Sequence, residues 1–159
     1  MLTRDLVELS VSGPVVIVGS GDAAGVPEVS RAWGMHLLVD ANEVVICVPS
    51  TSGRRLLANL ERTGRIAVNV TSPQTYRSFQ MKGRVLSIGV ASPEDLDRAA
   101  AHQRAFVDSV AAVGMSREIS PRLFADSPAD PIQPDLTAVR LAVEALFDQT
   151  PGPGAGARV

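Results

Sequence analysis

Short apolar stretches alternate along the chain with turns that contain glycine, proline and aspartate, and this pattern predicts a series of strands. The segment 14–20 is rich in valine and isoleucine, which favours a buried strand. After a turn, apolar and polar positions alternate over 28–39 with the period of two that strands show. Further strands are predicted over 44–49, 65–71, 76–90 and 136–147.

Two segments have the spacing of apolar positions that indicates an amphipathic helix. The first follows the polar run 50–52, which offers an N-cap, and it ends at Gly64. The second begins at Ser92 with a proline and two acidic residues and extends to about Val113. Its predicted inward face consists of Leu96, Ala100, Val107 and Val110.

The order of these elements predicts a protein that is mainly β with some α. Consecutive strands joined by turns favour antiparallel pairing, and closing the sheet on itself removes exposed edges. We therefore expect an antiparallel, six-stranded, Greek-key-like barrel with flanking helices, in a single domain over 1–159. Prolines 121, 128, 131 and 134 predict an irregular connection before the last strand, and 150–159 is an irregular Pro/Gly-rich tail.

One motif in the first predicted turn imitates a nucleotide-binding site. Gly19, Gly21 and Ala24 follow a strand in the pattern G-x-G-x-x-A, and Asp40 lies at about the spacing of the acidic residue in dinucleotide-binding folds. That motif needs a helix to begin within the glycine loop. Pro27 and the extended stretch after it leave no room for one, so we interpret the segment as a hairpin turn.

Composition excludes several classes of function. The formal charge of −2 produces no field that would attract nucleic acid or an anionic membrane surface. No apolar run reaches the ~20 residues that cross a bilayer, and no signal peptide is recognisable, so we expect a soluble, cytoplasmic protein. Cys47 lies in an apolar run and is expected to be a buried structural thiol. His36 and His102 lack a partner pattern for metal binding or nucleophilic catalysis, and no metal site is predicted.

Several segments, in order, carry a resemblance to a known family. They are the turn and strand 25–31, the polar loop with paired arginines 50–60, the strand 64–68 and the extended segment 76–83. Together they resemble the FMN-binding split β-barrels related to pyridoxamine 5'-phosphate oxidase, over residues 14 to about 90. The tail 149–156 is similar to the end of one bacterial subgroup of that family.

The resemblance implies a split β-barrel and a homodimer with two FMN molecules at the subunit interface. Arg54 and Arg55 stand where the first predicted helix begins, with the hydroxyls of Ser50 and Thr51 nearby. Cationic side chains and free backbone N–H groups at a helix start form a local anion site, so these residues are expected to bind the FMN phosphate. The alternative is a solvated first turn, in which the two cations are mildly unfavourable.

The remaining candidates lie in the predicted strands. Arg31 is expected either to reach the same phosphate or to extend towards water. In the family that the chain resembles, the arginine of this strand falls three residues after the proline, whereas Arg31 falls four after Pro27, so Ser30 is the alternative for that position. A slip of one residue would turn Arg31 to the opposite face. Trp33 is predicted to lie along the isoalloxazine ring or in the core. Ser78 and Gln80 are expected to bond ring carbonyls or ribityl hydroxyls, or else to satisfy the sheet edge.

We therefore expect an FMN-dependent oxidoreductase with an unidentified small-molecule substrate and no identified catalytic residue. Oxidation of pyridoxamine phosphate itself is disfavoured, because no further cationic cluster is evident for a phosphorylated substrate. Two alternatives stay open: a non-catalytic module that binds or stores flavin or haem, and a deazaflavin-dependent reductase.

Overall fold

The computed structural model describes residues 1–118, 120–124 and 135–159, and within them the chain forms seven strands and three α-helices. Two short 3-10 segments, Val39–Ala41 and Ser120–Phe124, supplement them. The predicted irregular connection at Pro128, Pro131 and Pro134 lies outside the described residues. In chain order the elements are α1 (Arg4–Val11), β1 (Val15–Gly21), β2 (Pro27–Ala32), β3 (Gly34–Leu38), β4 (Glu43–Pro49), α2 (Arg54–Thr63), β5 (Arg65–Thr71), β6 (Ser78–Val90), α3 (Pro93–Ala111) and β7 (Leu136–Asp148).

The strands form one curled antiparallel sheet in the order β2-β1-β5-β6-β7-β4-β3. Its two end strands, β2 and β3, are consecutive in the chain, because only Trp33 separates them. The backbone N–H of Trp33 donates to the carbonyl oxygen of Cys47 in β4 at 2.8 Å. The chain itself therefore links the two ends of the sheet, as the predicted barrel required.

The predicted count of six strands is wrong by one. The extended segment 28–39 is divided at Trp33 into β2 and β3, which pair with different neighbours. A continuous alternation of apolar and polar residues cannot reveal this division, because both strands keep the same period of two. The antiparallel pairing and the positions of the other strands agree with the prediction.

The glycine-rich segment after β1 is a hairpin turn, as predicted, and no helix begins there. Asp22 accepts hydrogen bonds through Oδ1 from the backbone N–H groups of Ala24 and Val26, at 2.9 and 2.8 Å. Gly25 has φ +82°, a conformation that glycine adopts without strain. Gly21 pairs with Pro27 across the hairpin, so the dinucleotide-like motif has no structural counterpart.

Two apolar clusters lie on opposite sides of the sheet. The inner cluster fills the barrel with alternate strand residues and is closed by Leu56, Leu57 and Leu60 of α2 and by Leu6 and Leu9 of α1. The outer cluster lies beneath α3 and contains the described residues Trp33, Cys47, Ala91, Ala99, Phe106, Val110, Phe124 and Leu136. The inner side of the sheet is thus covered by α1 and α2, and α3 covers part of the outer side.

The face that α3 buries agrees with the predicted one at Val110 and differs from it at Leu96. The other two predicted positions, Ala100 and Val107, are only partly buried. The buried residues of α3 are Ala99, His102, Phe106, Ser109 and Val110, whereas Leu96 is 45% exposed. Gly34 explains why α3 turns Ala99 towards β3, because a Cβ atom at residue 34 would lie only 2.6 Å from the Cβ of Ala99. The helix approaches β3 so closely at this point that only a small residue on each side can be accommodated.

The Pro/Gly-rich tail forms turns rather than a helix or strand, yet it is held in place. The backbone N–H of Asp148 donates to Ala157 at 2.9 Å, and that of Val159 donates to Leu146 at 2.9 Å. Phe147 and Arg158 form an isolated bridge. The tail therefore returns along the last residues of β7, beyond Ala142, where the pairing with β4 ends.

Candidate functional site

The start of α2 lacks the side-chain N-cap that α1 and α3 have. Thr3 caps α1 through its side chain, and Ser92 forms a capping box with Asp95 at the start of α3. The N-cap of α2 is Gly53, with no side-chain hydrogen bond and no acidic residue in the first turn. The predicted N-cap within 50–52 is therefore wrong. The first turn of α2 instead combines free backbone N–H groups with two arginines, which is a favourable arrangement for an anion.

Gly53 holds this helix start close to the strand that precedes it. Its backbone N–H donates to Pro49 at 2.9 Å. A Cβ atom at this position would lie 2.4 Å from Cγ1 of Val48 and 2.7 Å from the carbonyl oxygen of Pro49. A larger residue would have to push the loop away, so glycine fixes where the first turn of α2 stands.

Arg54 and Arg55 are both exposed but differ in their partners. Nε of Arg55 lies 3.3 Å from Oε2 of Glu28 in β2, so this guanidinium already has a carboxylate neighbour. The guanidinium of Arg54 has no ion pair or hydrogen bond with any of the described residues. Arg54 is consequently the cation at this helix start that is available to an incoming anion.

Ser30 and Arg31 point to opposite faces of β2. Ser30 is paired with Val18, a core residue, and its Oγ lies 3.5 Å from where a Cβ on Gly53 would stand. Arg31 is paired with Ile17, on the other face. Ser30 therefore shares the region of the α2 start, whereas Arg31 does not.

Arg31 is instead held against the outer cluster. Its Nη1 donates to the carbonyl oxygen of Leu123 at 3.1 Å, and its guanidinium lies 5.7 and 5.9 Å from the ring centroids of Phe106 and Phe124. Burial lowers the pKa of the guanidinium from its ordinary value. Even so, an arginine side chain stays charged at neutral pH. The residue thus serves as a half-buried cation packed on aromatic rings.

A row of side chains crosses the outer face of the sheet. Direct pairing across neighbouring strands places Arg31, Ile17, Asn69, Gln80 and Phe147 side by side. All five are only partly buried, whereas the apolar inward-facing neighbours on β1, β5 and β6 are almost fully buried. The outer face of the central strands is consequently a broad surface of mixed polar and apolar character.

Ser78 belongs to a small polar network on this same face. Its Oγ lies 2.7 Å from Oγ1 of Thr71 and 3.5 Å from Oδ1 of Asn69, while Nδ2 of Asn69 donates to Thr71 at 3.0 Å. Asn69 and Thr71 were missed by the sequence analysis. The alternation of residues 65–71 could have found them, because both occupy the polar positions of β5.

Trp33 lies in the outer cluster and not on an open surface. It is 4% exposed, and its ring meets that of Phe124 edge to face with centroids 5.9 Å apart. Of the two predicted roles for Trp33, the structure places it in the core.

Ser50 and Thr51 lie in the loop between β4 and α2. The backbone N–H of Ser50 donates to Asp135 at 2.9 Å, and its Oγ lies 2.8 Å from Oγ1 of Thr137 in β7. Thr51 is exposed. The structure thus brings Ser30, Ser50, Thr51, Arg54 and Arg55 to the vicinity of the α2 start, while Arg31, Ser78 and Gln80 share the outer face.

The buried titratable groups are structural. Burial raises the pKa of the Cys47 thiol to about 12, so it is a protonated core residue, as predicted. Nε2 of His102 bonds to the carbonyl oxygen of Pro14 at 3.1 Å, and burial lowers the pKa of its imidazole to about 4. Among the described residues, His, Cys, Asp and Glu form no group of three or more that could hold a metal ion. None of the helices in the described ranges has the length and apolar character needed to span a bilayer.

Comparison with solved structures supports the architecture. An F420 reductase matches with a TM-score of 0.57 and 16% identity, over 91% of this chain and 98% of that one. A candidate pyridoxamine 5'-phosphate oxidase from Lactobacillus delbrueckii matches with a TM-score of 0.54 and 15% identity, over 92% and 93%. A heme-binding protein from Mycobacterium smegmatis matches with a TM-score of 0.51 and 17% identity, over 100% and 59%.

These likenesses establish the fold. The chain has a split β-barrel fold, which it shares with the matched candidate pyridoxamine 5'-phosphate oxidase and the matched F420 reductase. No protein-family model matches the chain, and no curated protein matches its sequence significantly.

Proposed function

We propose that this protein binds FMN and acts as an oxidoreductase on a small molecule. The observation that carries the proposal is the start of α2, where no side chain caps the helix, no acidic residue lies in the first turn, and Arg54 has no partner among the described residues. A flavin phosphate is close to a dianion. Free backbone N–H groups, a helix dipole and a nearby guanidinium together stabilise such a group.

Ser30, Ser50 and Thr51 would contribute to the same phosphate site. Their hydroxyls lie around the loop that leads into α2. Arg55 would approach the phosphate while its pair with Glu28 limits the rotamers that it can adopt. The local arrangement also accounts for anion binding by a protein whose formal charge is −2.

The isoalloxazine ring would lie on the outer face of the sheet. Ser78, with Asn69 and Thr71, offers hydrogen-bonding groups there, and Gln80 stands in the neighbouring row between Asn69 and Phe147. A planar heterocycle with polar edges fits a surface of this mixed character. The same partly buried face is where we expect a second copy of the chain to pack, so that the cofactor lies between two subunits.

Bound FMN would supply the transfer of electrons, and the protein would supply orientation and exclusion of water. Hydride transfer to a flavin depends mainly on placement, so it does not require an acid–base pair.

The decisive experiment is a titration of the protein with FMN, followed by flavin fluorescence. Replacing both arginines in Arg54→Ala/Arg55→Ala is expected to weaken FMN binding by at least about tenfold, because charge-assisted hydrogen bonds are lost. The matched control is Arg62→Ala/Arg65→Ala, which removes the same charge from the last turn of α2 and the first position of β5. Equal FMN affinity in the two double variants would contradict the proposed phosphate site.

Haem and deazaflavin are the competing cofactors, since the matched structures include a heme-binding protein and an F420 reductase. The visible spectrum of the purified protein, and of the protein incubated with each cofactor, distinguishes the three. Bleaching of bound flavin by a nicotinamide donor would favour an enzyme over a storage protein. A protein that takes up none of the three would overturn every form of the proposal.

A further inference from the structure

A cavity of about 540 Å³ lies outside the barrel, between α3 and the strands β6 and β7. Its volume falls within the roughly 300–1,000 Å³ that is typical of small-molecule sites. Ala91, Ala99 and Leu136 of the outer cluster form its buried wall. It is therefore continuous with a packed core on one side and open on the other.

The rim of the cavity exposes apolar side chains to water. Val90 is 94% exposed and Leu96 is 45% exposed. Leu96 and Ala100 belong to the α3 face that the sequence predicted to be inward, and both line this cavity. The apolar spacing that indicates a buried helix face is thus directed at an open space, which is a feature of binding surfaces.

Each polar side chain in the described lining of the cavity, of Ser50, Gln103 and Asp135, can accept a hydrogen bond. Nε2 of Gln103 donates one of its two hydrogens to the carbonyl oxygen of Trp33 at 3.3 Å, and its amide oxygen accepts no hydrogen bond from the described residues, so that oxygen can accept one from a ligand. Asp135 contributes a carboxylate that has no ion pair with the described residues. Asp135 is also the charged residue in the described lining, so the cavity disfavours anions.

From this geometry we propose that the cavity binds a small, mainly apolar molecule that carries a hydrogen-bond donor, such as an apolar amine. The apolar body would rest against Leu96, Ala100 and Leu136, and the donor would face Asp135 and Gln103. Ser50 lines the cavity and also belongs to the loop before α2. The cavity therefore adjoins the proposed phosphate site, but it does not include Arg54 or Arg55.

The test uses 1-aminoanthracene, an apolar arylamine whose fluorescence rises in an apolar environment. We expect saturable binding of one probe per chain. Ala100→Phe fills the cavity and should weaken binding by at least about tenfold, since the ring occupies the space of the probe. Ala101→Phe is the matched control, because residue 101 is exposed on the same helix, and it should leave the affinity unchanged. Equal effects of the two substitutions would overturn the proposal.

A second comparison does not depend on the fold tolerating a phenylalanine. Anthracene-1-carboxylate has the same ring system but carries a negative charge, and it should bind about tenfold more weakly than the amine. In Asp135→Asn, a substitution at an exposed residue, this difference should shrink. Equal binding of the two probes by the unmodified protein would refute the acceptor-lined site.

Measuring probe binding in the presence of FMN tests this inference separately from the proposed function. Saturating FMN should leave the affinity for 1-aminoanthracene unchanged, and Ala100→Phe should retain FMN. If FMN displaces the probe and Ala100→Phe loses FMN, the cavity is part of the cofactor site and the inference fails. If the probe does not bind while FMN does, only the inference fails.

Discussion

Arg54, at the start of α2, and Arg31, beneath α3, carry the same guanidinium group in different surroundings. Arg54 is exposed and without a partner among the described residues, whereas Arg31 bonds to Leu123 and lies against Phe106 and Phe124. The first can accept a new anionic ligand at little cost. The second would have to give up contacts that already stabilise the fold. Residue type alone therefore does not identify a ligand-binding cation; its existing contacts do.

Of the substitutions considered for the two regions, one in the outer cluster beneath α3 should cause the largest loss of stability. Trp33→Ala removes a buried indole from the outer cluster and should lower the free energy of unfolding by about 3–5 kcal/mol, as measured by urea denaturation. Trp33→Phe, which keeps an aromatic ring against Phe124, should cost less. A Trp33→Ala protein of normal stability that no longer binds FMN would instead make Trp33 a cofactor contact.

His102, also on the α3 side, should make stability depend on pH. Its pKa is lowered to about 4 from an ordinary value of 6.5, so the unfolded chain takes up the proton first as the pH falls. The free energy of unfolding should therefore be fully retained above pH 6.5. Towards pH 4 it should decline by roughly 3 kcal/mol.

His102→Gln, which removes the titrating group, should flatten this part of the profile. The measurement is urea denaturation of both proteins across the same pH range. An identical pH profile for the variant would show that other groups are responsible.

Arg31→Met should have an intermediate effect on stability. The variant keeps a long apolar stem but loses the hydrogen bond to Leu123 and the contact with two aromatic rings, which together contribute about 1–2 kcal/mol. FMN affinity, measured by titration, should change less than it does in Arg54→Met. The reverse order of FMN affinities would place the phosphate next to Arg31.

Arg54→Met should have the smallest effect on folding. The side chain makes no ion pair or hydrogen bond with the described residues, so the midpoint of urea denaturation should not move. FMN binding should nevertheless weaken. A clear loss of stability without a change in FMN affinity would reverse the roles assigned to the two arginines.

Much of the fold could be predicted because it depends on local patterns. The strand positions follow from alternation and β-branched residues, and Asp22 with Gly25 specifies the first hairpin. The division of the predicted strand 28–39 at Trp33 could not be predicted. A change of pairing partner does not alter the alternation of apolar and polar residues along the chain. The buried face of α3 was predicted only in part, at Val110, because the contact of Gly34 with Ala99 joins residues far apart in the chain.

The candidate site could be predicted in composition but not in arrangement. The polar loop and paired arginines were recognisable, yet Gly53, not a residue within 50–52, caps α2. Ser30 and Arg31 could not be assigned to faces, because one residue of register exchanges them. Asn69 and Thr71 became candidate site residues only because strand pairing places them beside Ser78.

The sequence by itself determined that this chain forms an antiparallel barrel with a cationic start to its first predicted helix, because alternation, turn residues and helix signals act over a few neighbours. Only the tertiary structure decided which arginine is available, which strand face carries the polar row, and that a cavity opens beside α3. Those features depend on contacts between residues distant in the chain, where packing and register, not local propensity, fix each side chain's surroundings.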